Sequence, residues 1–338
     1  MNSSTRKAPK VGLALGGGGA RGLAHIGVLK ALEEESIPID MIAGTSAGAI
    51  VGACYAKERN ASILEEIVLG IDWRKMARLV DPNLLLLGKG FVHGDKVKEF
   101  CKSIIGDTKF EDLEIPLAVV AADAQTTEEI VIDKGSVLEA VRASISLPVI
   151  LTPVKRGTRF LIDGGIVNPV PVNVVRNMGA EVVIAVNVEP SSSQKRQVKL
   201  AGEKKMPEKT PSLRPKSVHL LAVRKKFNSL LREHRERIEV FDRLSKLAES
   251  AVYEGRGRLD PKTPSIFDVL IHSLEAMQYE RIRLRIETAD IVISPDVSDI
   301  GMFGFHKGEE AIAQGYKAAK DVLPKLQEMI CSITASPL

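Results

Sequence analysis

"LALGGGGARGLAHIGVLKAL", residues 13–32, decides the reading of the fold. An apolar run stops at four consecutive glycines, Gly16 to Gly19, and a helical pattern begins at once, with Leu23, Ile26, Leu29 and Leu32 at three-residue spacing and Val28 beside them. A strand that empties into a glycine loop and then a helix is the opening unit of an open α/β sheet. Glycines in that loop permit close approach to the backbone, and three occupants stay open: a phosphate, a carbonyl oxygen becoming an oxyanion, or nothing.

The alternation continues to about residue 190. "IDMIAG" (39–44), "PLAVVAAD" (116–123), "EEIVID" (128–133), "TRFLID" (158–163) and "AEVVIAVNV" (180–188) read as strands. "AGAIVGACYAKE" (47–58) and "SVLEAVRASIS" (136–146) read as helices, so the expected class is α/β, a mostly parallel sheet covered by helices on both faces. From residue 191 the chain turns rich in Ser, Lys and Pro, and over 217–253 apolar residues recur every three or four positions among Arg and Lys. That stripe reads first as a face packed on its own protein and second as a membrane or partner surface. The tail regains globular composition: a helix in "PSIFDVLIHSLEAMQ" (264–278), a strand in "DIVISPDV" (290–297) and a closing helix over 308–330. The expected organisation is a core over 8–190, a basic linker and helical insertion over 191–263, and completion of the core over 264–332.

With 338 residues, 44% of them hydrophobic and 27% charged, the chain can bury an enzyme-sized core. Cys54, Cys101 and Cys331 match no metal or redox spacing and read as free thiols in a reducing, cytoplasmic compartment. The N-terminus lacks a signal h-region and no run reaches the roughly 18 apolar residues of a spanning helix, so membrane contact is expected to be peripheral, on the inner face. The net charge of +4 is uneven: residues 191–260 hold eighteen Lys and Arg against nine Asp and Glu, leaving −5 for the rest. Such a stretch points to an anionic partner, here an anionic membrane surface rather than nucleic acid, or to a solvated segment.

The second strand runs into "GTSAG", Gly44 to Gly48, the pattern of a nucleophile elbow in which small neighbours let a serine sit at a tight strand-to-helix turn. Alone it reads equally as a glycine-rich helix start with Ser46 as a cap. Beside the first glycine loop, on the same carboxyl edge, it gains weight: the amides of Gly17, Gly18 and Gly19 could face Ser46 as an oxyanion hole. A dinucleotide site fits less well, because the acidic residue it wants at the end of the next strand is replaced by "AGTSAG", Asp40 lies at the strand's start, and no GK[ST] completes a P-loop. A base is offered by "FLIDGGIVNPVPV" (160–172), with Asp163 at a strand end before two glycines; a simple Asx turn is the alternative.

A glycine-rich loop with an arginine, then GxSxG, then DGG resembles the patatin-like phospholipase family. "RASISLPVILTPV" (142–154) and "IVISPDV" (291–297) fall into the same order, most similar to the bacterial intracellular type related to the catalytic domain of neuropathy target esterase. The resemblance implies a three-layer α/β/α fold and a Ser–Asp dyad, Ser46 and Asp163. It also implies an oxyanion hole around Gly17, Gly18 and Gly19, with Arg21 in the same loop and neither metal nor cofactor. The expected activity is hydrolysis of fatty acyl esters of phospholipids or lysophospholipids through an acyl-enzyme. An acyltransferase or thioesterase, and a non-catalytic lipid-binding regulator, are the competing readings. Chain order would also permit a triad with His219, His272 or His306, which the resemblance argues against; His25 is expected to pack or cap. Arg21 and Arg142 are candidates for holding a phosphate head group or for pairing with buried carboxylates.

Overall fold

The computed structural model describes residues 8–71, 94–148, 150–190 and 266–335. The basic stretch 191–263, with its amphipathic pattern, and the Leu-rich piece 81–93 lie outside the described residues. In chain order the elements are β1 (Val11–Leu15), α1 (Ala24–Glu34), β2 (Met41–Thr45), α2 (Ala47–Glu58), α3 (Ala61–Leu69), α4 (Asp95–Ile105), β3 (Leu117–Asp123) and β4 (Glu129–Ile132). There follow α5 (Val137–Ser144), β5 (Val154–Arg156), β6 (Arg159–Asp163), α6 (Val172–Asn177), β7 (Val182–Val186), α7 (Ile266–Ile286), β8 (Ile291–Ile293) and α8 (Gly308–Ala335).

One sheet takes all eight described strands: β3-β2-β1-β7-β8 run side by side, β4 pairs with β3, and β6, with β5 beside it, pairs with the last residues of β3. Neighbours are parallel from β3 to β8, while β4, β5 and β6 add antiparallel pairings. The central strands β1, β2, β3 and β7 are buried along their whole length, and their alternation divides the core. Leu13, Leu15, Ile42, Val119 and Ile184 face a layer built by α1 to α5 and α8. Ala14, Ala43, Ala118, Val120 and Ala185 face α6 and α7. This is the three-layer α/β/α arrangement, with small side chains on the second face admitting helices close to the sheet.

α1 and α8 cross with their backbones in contact. A Cβ on Gly27 would run into the Ile312 carbonyl, and one on Gly315 into the Ala24 carbonyl, so each glycine makes room for the other helix. Gly315→Ala is expected to cost about 1–3 kcal/mol, read as a lowered Tm, because neither backbone can yield without moving a whole helix.

The structure departs from the sequence reading in detail. Residues Gly19–Leu23 form a 3₁₀ turn before α1 starts, and α7 runs on to Ile286. α3, α4, α6 and the short hairpin strand β5 carried no apolar period long enough to be read. Cys54 and Cys101 are buried and unpaired, their thiols pushed up to about 12 by burial, and Cys331 is exposed. No helix among the described residues is long and apolar enough to cross a membrane.

Candidate active site

Strand register brings the serine and the aspartate together. Val119 and Val120 pair with both β2 and β4, and Ala121 and Ala122 with both β4 and β6. A strand has only two edges, so β2 and β6 lie end to end along the same edge of β3. Thr45 faces Val120 and Asp163 faces Ala121, so the residue after Thr45 meets the end of β6 head on. Ser46 Oγ donates to Asp163 Oδ2 at 2.7 Å.

Ser46 is held where few residues sit, at φ 52° and ψ −118°, immediately before α2. For a side-chain-bearing residue such a conformation costs on the order of 1–3 kcal/mol and persists only where the surroundings impose it. Here they do. A Cβ on Gly44 would lie 2.6 Å from Ala49 Cα, and one on Gly48 would lie 2.7 Å from the Gly16 carbonyl oxygen, so the GxSxG glycines let the turn close. The Ser46 N–H donates to Ser144 Oγ at 2.8 Å, and that hydroxyl donates on to the Val120 carbonyl. Thr45 Oγ1 donates to the Asn168 carbonyl from the other side. Ser144 is a contributor that the sequence alone does not single out: within "RASIS" nothing distinguishes it from Ser146.

Asp163 is buried, with 4% of its surface exposed. Its Oδ1 accepts from the Gly165 N–H at 2.7 Å, the turn that the DGG pattern suggested, and its own N–H donates to the Ser146 carbonyl. Burial raises its carboxyl from the ordinary 3.8 to about 6, against the lowering effect of the hydrogen bonds from Ser46 and Gly165. A carboxylate alone is a weak base; this one has its proton affinity moved toward neutral pH.

The glycine loop lies beside Ser46 because β1 and β2 are parallel neighbours, with Leu15 opposite Gly44. A Cβ on Gly17 would come 3.4 Å from Ser46 Cβ. The expectation of three free amides needs correction at Gly17, whose N–H donates to the Pro169 carbonyl at 2.9 Å. Gly18 and Gly19 keep theirs without a partner among the described residues. His25 fixes the loop's start: its Nε2 donates to the Gly16 carbonyl at 2.8 Å, while burial lowers its pKa to about 4 and keeps the ring neutral. Among the described residues no histidine bonds to Ser46 or Asp163; His272 and His306 are exposed, and His219 lies outside them.

The arginines take the structural side of their two readings. Arg21 is 2% exposed and its Nη2 donates to Glu189 Oε1 and Glu275 Oε1, each at 2.9 Å, so it holds carboxylates rather than a head group. Arg142 is equally buried, with Nη1 on Ser146 Oγ and Nη2 on the Thr152 carbonyl, and it ties α5 to the following loop. Asp40 accepts from the Val11 N–H at the opposite end of the sheet, far from any ligand the glycine loop could take. Among the described residues no group of three His, Cys, Asp or Glu side chains is placed to hold a metal ion.

Residues 13–176 match the profile of the family described as patatin-like phospholipase. This stretch is a patatin-like phospholipase domain. Ser46, Asp163 and the glycine loop all fall inside it. An uncharacterized NTE family protein of Mycobacterium tuberculosis is 37% identical over 188 residues, 55% of this chain and 51% of that one. Human patatin-like phospholipase domain-containing protein 6 is 39% identical over 183 residues, 53% of this chain and 13% of that one, and the Drosophila melanogaster neuropathy target esterase sws is 38% identical over the same length. The match thus spans about half of the mycobacterial relative and a small part of the animal ones. The crystal structure of VipD from Legionella pneumophila superposes loosely, with a TM-score of 0.44 and 12% identity over 93% of this chain and 90% of that one.

Proposed function

We propose that the chain is a serine lipid acyl hydrolase that cleaves fatty acyl esters of phospholipids or lysophospholipids, with Ser46 as nucleophile and Asp163 as its general base. The observation that carries the reading is the 2.7 Å hydrogen bond between Ser46 Oγ and the buried Asp163 carboxylate, made by a serine in a strained turn. The patatin-like phospholipase domain supports the substrate class.

In the first half-reaction Asp163 Oδ2 takes the Ser46 proton as Oγ bonds to the acyl carbon. The carbonyl oxygen gains negative charge opposite the amides of Gly18 and Gly19, which are fixed before the substrate arrives. Collapse breaks the ester bond; the leaving alcohol or lysolipid takes the proton back from Asp163, and the acyl group stays on Ser46. Water then attacks, giving its proton to Asp163, and Ser46 leaves as a hydroxyl with that proton. Substrate is met at an anionic lipid surface on the cytoplasmic side, toward which the +9 stretch at 191–260 is drawn at about 1 kcal/mol per well-placed cation.

The test is release of fatty acid from a panel of phospholipids, lysophospholipids and short p-nitrophenyl esters, with and without an added acceptor alcohol. Free fatty acid as the main product, unaffected by the acceptor, is expected. Acyl transfer to the alcohol as the dominant outcome would make the protein a transferase; no turnover of any ester would end the hydrolase reading.

A further inference from the structure

Arg21 is too buried to meet a substrate, yet it sits in the loop that bears the proposed oxyanion donors. We propose that Glu275, on α7, is a positioning residue for the oxyanion hole: it acts through Arg21 to hold the Gly18–Gly19 peptide in the orientation that frees the Gly19 N–H for the attacked carbonyl. This rests on the Ser46–Asp163 reading above.

A trans peptide points its C=O and its N–H in opposite directions. The Gly18 carbonyl accepts from both Arg21 Nε and the Arg21 N–H, each at 3.2 Å, so it is turned toward the arginine. The Gly19 N–H of the same peptide must therefore point away from Arg21. A peptide flanked by glycines has little of its own to resist rotation, so the orientation depends on the clamp. The clamp in turn depends on where the guanidinium is aimed. Its Nη2 is shared between Glu189, three residues past β7, and Glu275, with all three side chains less than a tenth exposed. Charge-assisted bonds of this kind are short and strong in such surroundings.

Glu189 belongs to the same strand cluster as the loop, but Glu275 arrives from a helix 254 residues further along the chain than Arg21. The cluster is complete only when α7 is docked. Three residues on, and on the same helical face, Gln278 reaches the other half of the site: its Nε2 lies 2.9 Å from where a Cβ on Gly165 would be. Gly165 is the residue whose N–H holds Asp163 Oδ1. One face of α7 thus rests on both the oxyanion loop and the aspartate turn.

The experiment measures kcat and KM for a soluble p-nitrophenyl ester, together with Tm and the rate of fluorophosphonate labelling of Ser46, in wild type, Glu275→Ala and Glu275→Gln. Losing one oxyanion donor typically costs about 10²- to 10³-fold, so partial loss of its orientation is expected to lower kcat about 10- to 100-fold in Glu275→Ala and less in Glu275→Gln. KM should stay within about twofold, labelling should slow in parallel with kcat, and the pH profile should keep its midpoint because Asp163 is untouched. A lower Tm with kcat unchanged in both variants would make Glu275 merely structural and overturn the proposal. Should Glu275→Ala fail to fold, Glu275→Gln decides, and the wild-type kcat in it overturns the proposal. An active wild type with full-rate variants sinks this inference alone; a wild type without Ser46-dependent turnover sinks the hydrolase reading and this with it.

Discussion

Replacing Ser46 by alanine is expected to lower ester hydrolysis by on the order of 10⁴-fold or more, with the fold intact. Among the described residues the hydroxyl is the only group placed both at a strained helix entry and on a carboxylate, and the contacts other than Asp163 hold the backbone rather than the side chain. The Ser46 N–H keeps its bond to Ser144 Oγ in the variant, and the turn keeps its glycines, so Tm should change little. Steady-state fatty acid release, with circular dichroism as the control for folding, reads the effect. Residual activity within about tenfold of wild type would place the nucleophile elsewhere.

Asp163→Asn is expected to remove activity to a similar degree while making the protein more stable above pH 6. The carboxyl holds its proton more tightly folded, at about 6, than unfolded, at 3.8, so between those values the native state binds more protons than the unfolded chain. Its favourable contribution is therefore complete below about pH 4 and is lost as pH rises through 6. By pH 8 the native protein carries a buried anion at a cost of about 3 kcal/mol. Asparagine avoids that cost and still fits: its oxygen can accept from the Gly165 N–H and its amide can donate to Ser46 Oγ. Melting curves should show the variant gaining on wild type between pH 4 and 7, by several degrees in Tm, and running level with it below pH 4. The same titration governs catalysis, because only the ionised form can take the Ser46 proton. Wild-type kcat/KM should rise about tenfold per pH unit below 6 and level off above it. A profile flat across pH 6, or an Asn variant less stable at pH 8, would mean that Asp163 is not the buried base of this site.

The parts of the molecule that announce themselves in the sequence are those where local chemistry and tertiary position coincide. Val11–Leu15 is an apolar strand wherever it packs, and glycines at 16, 18 and 19 and at 44 and 48 are needed for the backbone approaches that the fold makes. Asp163 was legible because an apolar strand ends there against two glycines. What the sequence hides is how distant segments share polar groups. Gly17 lies between two other loop glycines, and nothing local shows that the Pro169 carbonyl claims its N–H. Arg21 follows the loop as a phosphate-binding residue would, and only the arrival of Glu189 and Glu275, one of them 254 residues away, turns it inward. Ser144 looks like a helix residue among small neighbours until β2 ends against it. The strand order hides too: that β2 and β6 meet end to end on β3 follows from pairing registers, which no periodicity records.

The most direct test of Ser46 as a nucleophile activated by Asp163 is to treat wild type, Ser46→Ala and Asp163→Asn with a fluorophosphonate at pH 8 and locate any adduct by mass spectrometry of the digested protein. The account predicts a single adduct on the peptide carrying Ser46 in wild type, none in Ser46→Ala, and labelling slowed by orders of magnitude in Asp163→Asn. Wild type left unlabelled, an adduct on another residue, or Asp163→Asn labelled at the wild-type rate would contradict it.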